Sequence, residues 1–289
     1  MSIDALQTKM KKRGSALMVD LAVAPDSLPP HFHENYGDGA CLEYCKQLLQ
    51  CLKGKVPAVR FSLLHFSLLG AQGIAGLSEL LRLADNLGFY TLLDVYGLTS
   101  AEKAQYAADT IWGQGSTLHC DGILTSGYFG TEIIRPFLPY CENEKKDLFI
   151  VVKTPGKSSS EIQDLLAGSR TVHMAAADYV NRFAAGSVGK YGFSNVCIGV
   201  SAAAGDSVRL LRSKYPKLFM LVDGMDCPGA NAKNCSLGFN RLGHGAIVGV
   251  GPCVTCAWKE SGDGENFAQE AAAAAERAQK KIDRYVSIL

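Results

Sequence analysis

Short, almost wholly apolar runs recur along the chain, and amphipathic stretches fill the gaps between them. The apolar runs are Ala16–Val23, Val56–Ser62, Tyr90–Gly97, Cys120–Gly127, Leu148–Thr154, Asn195–Ala202, Leu218–Gly224 and Gly245–Gly251. Runs this short, ending among small residues, are what strands buried on both faces require. The stretches between them place apolar residues at helical spacing, as Leu77, Leu80, Leu81, Leu83 and Ala84 do within Leu77–Leu87. Ala101–Trp112, Glu161–Leu166 with Thr171–Phe183, Ser207–Lys214 and the Ala-, Glu- and Lys-rich Asn266–Val286 read the same way. Pro29–Gly39 and Lys157–Ser160 read as loops.

Eight βα units of this size predict an α/β chain folded as a single (β/α)8 TIM barrel more readily than an open sheet. No composition shift marks a boundary, so residues 1–289 are expected to form one domain, a usual length for this architecture. Barrel chemistry sits at the C-terminal ends of the strands and on the loops that follow. That rule selects Asp20 and Ala22, Arg60, Asp94 and Tyr96, Thr154, the segment Asp223–Gly229 and the segment Gly249–Cys253. An Arg and two Asp residues on otherwise apolar strands have two readings, a structural Arg60–Asp94 ion pair in the barrel mouth or a ligand pocket. The period-two alternation of a strand puts Asp20 with Ala22, and Asp94 with Tyr96, on one face, so Arg60 is expected beside Asp94 and Asp20.

Charge narrows the function. A formal net charge of +1 predicts no bulk attraction to nucleic acid or to an anionic membrane. Lys9, Lys11, Lys12 and Arg13 read as a solvated helix face, and Met1–Arg13 is too polar for a signal peptide. No apolar run approaches the roughly 20 residues of a membrane span. A cytoplasmic protein is expected. Its ten cysteines then read as free thiols, with Cys120 and Cys197 acting as small hydrophobes in strands. Cys227, Cys235, Cys253 and Cys256 include one CxxC and would suit zinc or an iron–sulfur cluster, but Cys227 to Cys235 has no recognised ligand spacing. Unliganded thiols are the default, and neither a metal nor a cofactor is expected. His31 and His33 are weak metal candidates, while His65, His119, His173 and His244 are isolated and suit surface or capping roles.

The same residues carry a family resemblance over almost the whole chain. Val56-Pro-Ala-Val-Arg60 and Leu92-Leu-Asp-Val-Tyr96 resemble the second and third strand segments of orotidine 5′-phosphate decarboxylases. Tyr128-Phe-Gly130 with Arg135-Pro-Phe137 is similar to the family's Y-x-G…P-F stretch, and Val152-Lys-Thr154 with Gln163-Asp164 to its fifth strand and following loop. Leu221-Val-Asp-Gly224 stands where the family has its L-V-P-G phosphate loop. Gly245-Ala-Ile-Val248 and Ala257-Trp258-Lys259 frame the last strand as in the longer, bacterial branch.

Carried over residue by residue, the resemblance implies a degenerate site. The family's ribose-binding Asp falls on Ala22 and its second-strand Lys on Arg60. The first Asp of the D-x-K-x-x-D signature is present as Asp94, but the proton-donating Lys falls on Tyr96. The second Asp, contributed across the dimer interface, falls on Thr99 or Leu98. The pyrimidine-reading Ser after Thr154 is Pro155, the Gln of the phosphate loop falls on Pro228, and the phosphate-binding Arg falls on Pro252. No Lys lies between Phe89 and Glu102, and no Arg or Lys between Ala246 and Trp258, so a slip of one residue restores neither cation. The segments Gly224–Gly229 and Gly249–Pro252 still offer backbone N–H groups to an anion, but Pro228 and Pro252 remove two donors and Asp223 and Asp226 oppose the charge. The family reaction expels CO2 without a metal or organic cofactor and needs a Lys to protonate the carbanion. Tyr96 brings no cationic charge, and Arg60 does not give up a proton. Loss of one preorganised electrostatic group typically costs about 10²–10³-fold in rate.

The resemblance therefore implies a barrel of this family without decarboxylase activity, binding a small, nucleotide-like ligand or serving a regulatory role, as a homodimer or paired with a catalytic paralogue. Two alternatives stand beside it: a functioning decarboxylase of pyrimidine nucleotide synthesis, or a different lyase-type activity using Asp20, Arg60, Asp94 and Tyr96.

Overall fold

A computed structural model describes residues 3–95, 97–186, 188–262 and 264–287. Eight parallel strands close into a barrel: β1 (Leu17–Asp20), β2 (Ala58–Ser62), β3 (Tyr90–Asp94), β4 (Gly122–Ser126), β5 (Asp147–Lys153), β6 (Ser194–Ser201), β7 (Leu218–Asp223) and β8 (Ala246–Val250). Every strand has its sequence neighbour beside it, and β8 closes on β1. All eight apolar runs are therefore strands, trimmed by one to three residues at most of their ends. The register sets Asp20 against Arg60, Ser62 against Asp94 and Ser201 against Asp223, which gathers the polar strand ends at one rim.

Helices cover the barrel where the amphipathic stretches stand, among them Gly70–Asn86, Ala101–Trp112, Val172–Ala184, Gly205–Lys214 and Phe267–Asp283. The segment after β5 differs from expectation. Only Ser159–Ile162 is helical there, and a two-residue antiparallel ribbon pairs Leu166–Ala167 with Arg170–Thr171. Gly168 turns this ribbon at φ +69°, a conformation that ends a helix. Among the described residues no helix is long and apolar enough to cross a membrane.

Two other expectations change. The N-terminal helix α1 (Ile3–Arg13) lies against the base of the barrel, where the Ile3 N–H donates to Asp147 of β5 and Gln7 accepts from the Gly245 N–H before β8. Lys9 Nζ and Arg13 Nη2 donate to the Gly88 carbonyl at 2.5 and 2.8 Å, so only Lys11 and Lys12 stay fully exposed. The Gly88 carbonyl sits at the turn before β3, where the two cations supply its donors. The segment Pro29–Gly39 is likewise no open loop but a helix, Pro30–Tyr36, followed by a 3₁₀ turn. Pro30 opens it at N1, where its missing N–H costs nothing. Phe32 anchors it, buried edge-on between Tyr44 and Phe267 at centroid distances of 5.0 and 5.2 Å.

This aromatic anchor ties the segment after β1 to the C-terminal helix. Phe32→Ala is expected to destabilise the fold by about 3–5 kcal/mol, the cost of an emptied aromatic site. Urea unfolding checks it; a change below about 1 kcal/mol would mean that the short helix is not held by this packing.

Candidate functional site at the barrel mouth

Arg60 stands at the inner rim with its side chain 13% exposed, and it is bound on both sides. Nη2 donates to Asp20 Oδ2 at 2.5 Å, and Nη1 donates to Asp223 Oδ2 at 2.6 Å. Burial alone would push the guanidinium down; the two carboxylates outweigh it and hold Arg60 well above its ordinary value. Asp20 also accepts the Ala22 N–H at 3.1 Å, which fixes its rotamer. Asp223 fits because β8 carries Gly249 beside it: a Cβ there would lie 2.0 Å from Asp223 Oδ1. The expected flanking of Arg60 is thus half met. Asp20 pairs with it, whereas Asp223 of β7 takes the place foreseen for Asp94, because Arg60 reaches across the rim.

Asp94 makes no ion pair with Arg60 among the described residues, but it feels that charge. Burial raises its carboxyl to about 6; Arg60 pulls it down, while Asp20 and Asp223 push it up. Tyr96 lies outside the described residues. Ala22 is half-buried and Thr99 exposed on the segment after β3.

A second cation completes the rim. Lys153, at the end of β5 and 6% exposed by side chain, donates to Asp164 Oδ1 at 2.7 Å. Thr154 and Gln163 are doubly bonded, the Thr154 N–H to Gln163 Oε1 at 2.9 Å and Gln163 Nε2 to Thr154 Oγ1 at 2.8 Å. His173 is buried, contrary to expectation, and its ring bonds the Gln163 carbonyl at 2.9 Å. Sequence reasoning passed over Lys153 as a site residue, although a charge at an inward position of an apolar strand end was the available signal. Lys153, Thr154, Pro155, Ser201 and Asp223 line a cavity of about 40 Å³. That is room for a water-sized group, so a larger ligand must sit above this charged layer.

The loops after β7 and β8 turn their N–H groups inward. Met225 donates to Gly249, Cys227 to Gly224 and Ala230 to Cys227. The Gly251 and Cys253 N–H groups both donate to Asp226 Oδ2 at 3.0 Å. Pro252 opens a one-turn helix, and Gly224 and Gly229 adopt φ values of +73° and +84° to make the β7 loop, which also holds Pro228. Cys227 and Cys256 are half-buried, Cys235 is buried and Cys253 exposed, all as free thiols. Burial pushes the Cys235 thiol up to about 12, which disfavours the thiolate a metal binds. No group of three or more His, Cys, Asp or Glu side chains is arranged to hold a metal among the described residues. His31 and His33 lie on the Pro30–Tyr36 helix, with His33 Nε2 bonded to the Pro25 carbonyl.

The fold and this rim define a (β/α)8 barrel whose C-terminal mouth is closed by a carboxylate-bound guanidinium. No protein-family model matches the chain. It is similar to the orotidine 5′-phosphate decarboxylase of Caldicellulosiruptor saccharolyticus, 24% identical over 273 residues that cover 89% of this chain and 90% of that protein. The orotidine 5′-phosphate decarboxylase of Clostridium novyi is 24% identical over 287 residues, covering 98% of both. The solved Leishmania donovani OMP decarboxylase superposes with a TM-score of 0.74 at 23% identity, covering 97% of this chain and 99% of that one. The structural likeness speaks to the fold, and the relatives' names say what this chain is similar to.

Two measurements test the electrostatics. Arg60→Met strands Asp20 and Asp223 and is expected to destabilise by about 2–4 kcal/mol, less than a fully buried pair because those acids stay 24% and 33% exposed. Adding Asp20→Asn and Asp223→Asn to that variant should recover most of the loss, and a failure to recover would show that the ion pairs are not its cause. For Asp94, a carboxyl raised in the folded state binds its proton more tightly there than when unfolded. Its contribution to stability is therefore greatest below about pH 4 and is lost as pH rises through about 6. Asp94→Asn should flatten this part of the pH–stability curve and stabilise the protein at pH 7 by about 1–3 kcal/mol. An unchanged curve would contradict the assignment.

Proposed function

We propose that this chain is a diverged orotidine 5′-phosphate decarboxylase-like barrel that does not decarboxylate. Its mouth binds a small, polar, nucleotide-like molecule above the charged layer. The observation that carries the reading is the double engagement of Arg60. The family reaction needs a cation free to stabilise and protonate a carbanion, and the one cation on the first three strands is instead bound by Asp20 and Asp223 at 2.5 and 2.6 Å. A guanidinium so held neither moves nor releases a proton. Of the family's signature positions only Asp94 keeps its residue; Arg60, Tyr96, Thr99, Ala22, Pro155, Pro228 and Pro252 do not. Asp20, Asp223, Gly224, Gly229 and Thr154 form the remaining wall of the proposed ligand site.

The protein acts as a homodimer, or beside a catalytic relative, through the rim around this mouth. The support is a set of exposed apolar side chains on the segments after β2, β4 and β5: Leu64, Leu68, Phe129, Ile162, Leu165 and Leu166. Exposed apolar groups on the segments that follow the strands suit an association surface. A second reading, a different lyase-type activity, rests on Asp94: a carboxyl held near 6 titrates where a general base works.

Purified protein supplied with orotidine 5′-phosphate is expected to release no CO2 above the uncatalysed background and not to rescue a pyrimidine auxotroph. Growth supported by the unaltered gene would overturn the proposal.

A further inference from the structure

We propose that Asp226 is the specificity-determining residue of this mouth. Its carboxylate occupies, from within the chain, the anion position between the loops after β7 and β8, so the molecule bound above the charged layer is an unphosphorylated one. This deepens the proposed function and rests on its reading of the mouth as a small-molecule site.

Barrels of this architecture frequently hold a phosphate between the loops that follow the seventh and eighth strands. Here one oxygen, Asp226 Oδ2, accepts both the Gly251 and the Cys253 N–H at 3.0 Å. The captured carboxylate borders the mouth itself, because a Cβ built on Gly251 would lie 3.8 Å from Asp226 Oδ2 and equally 3.8 Å from Asp20 Cβ. The neighbouring donors on the β7 loop are turned onto the protein's own carbonyls, Met225 to Gly249 and Cys227 to Gly224. A phosphate arriving here must displace Asp226 and then face its charge. A neutral nucleoside meets no such opposition, and its hydroxyl groups suit a rim rich in carboxylate acceptors.

The test compares wild type with Asp226→Ala and Asp226→Asn. Inorganic phosphate is titrated and followed by ³¹P NMR, and uridine and uridine 5′-monophosphate are titrated by calorimetry. Wild type is expected to show no saturable phosphate binding and no preference for the nucleotide over the nucleoside. Asp226→Ala should bind phosphate and favour the nucleotide by about tenfold or more, as a freed charge-assisted site would. Asp226→Asn keeps an acceptor for both N–H groups and should gain less. Saturable phosphate binding by wild type, or none by Asp226→Ala, overturns the proposal. If Asp226→Ala does not fold, the nucleotide-to-nucleoside ratio of Asp226→Asn carries the test, and a ratio equal to that of wild type overturns it. The phosphate titration needs no organic ligand. Phosphate gained by Asp226→Ala, with neither uridine nor its monophosphate bound by any form, therefore removes the nucleotide-like reading of the mouth and leaves the role of Asp226 standing.

Discussion

A guanidinium inside the rim of a barrel is tolerable only if its charge is answered at once, and the upper part of this molecule follows from that demand. Arg60 projects from β2 into a layer that water scarcely reaches, where an unpaired charge would cost several kcal/mol. Asp20 from β1 and Asp223 from β7 answer it from opposite sides, which ties three strands together by side chains. The arrangement in turn dictates its neighbours. β8 must carry glycine at position 249, since no Cβ fits against Asp223 there. Asp94 is left without an ion pair to Arg60, and burial first, then the two nearby carboxylates, raise its carboxyl.

Beyond this layer the mouth satisfies its own polar groups. Lys153 answers Asp164, Thr154 answers Gln163, and Asp226 takes the N–H groups at the exit of β8. A catalytic mouth leaves charge aimed at an empty centre, because electrostatic groups act only when they await the transition state. In this barrel Arg60 is aimed at Asp20 and Asp223, and Lys153 at Asp164. A shared architecture at 24% identity does not require a shared rim. The eight strands and their helices depend on apolar periodicity, which many residues share, whereas the rim depends on a handful of side chains.

The barrel was legible in the sequence for that reason. Eight apolar runs separated by amphipathic ones allow little else, and each run became a strand. The residue types at the strand ends were equally legible, since no tertiary contact can put a Lys where the chain has Tyr96 or an Arg where it has Pro252. The errors fell where polar residues sit on short elements. Pro29–Gly39 reads as a loop until Phe32 finds Tyr44 and Phe267, which are distant in sequence. Lys9 and Arg13 read as solvated until the turn before β3 offers its carbonyl.

What the sequence determined by itself was the periodicity, the barrel it implies and the identity of the groups at each strand end. Which of those groups meet was decided only by closure of the barrel. Asp20, Arg60 and Asp223 are far apart in the chain, and strand alternation can state that each faces inward but not which partner it reaches across the rim. That choice depends on the stagger of the strands, on side-chain length and on the space left by Gly249. It is why Arg60 bonds Asp223 rather than Asp94, and why Asp226 lies on the amides of Gly251 and Cys253.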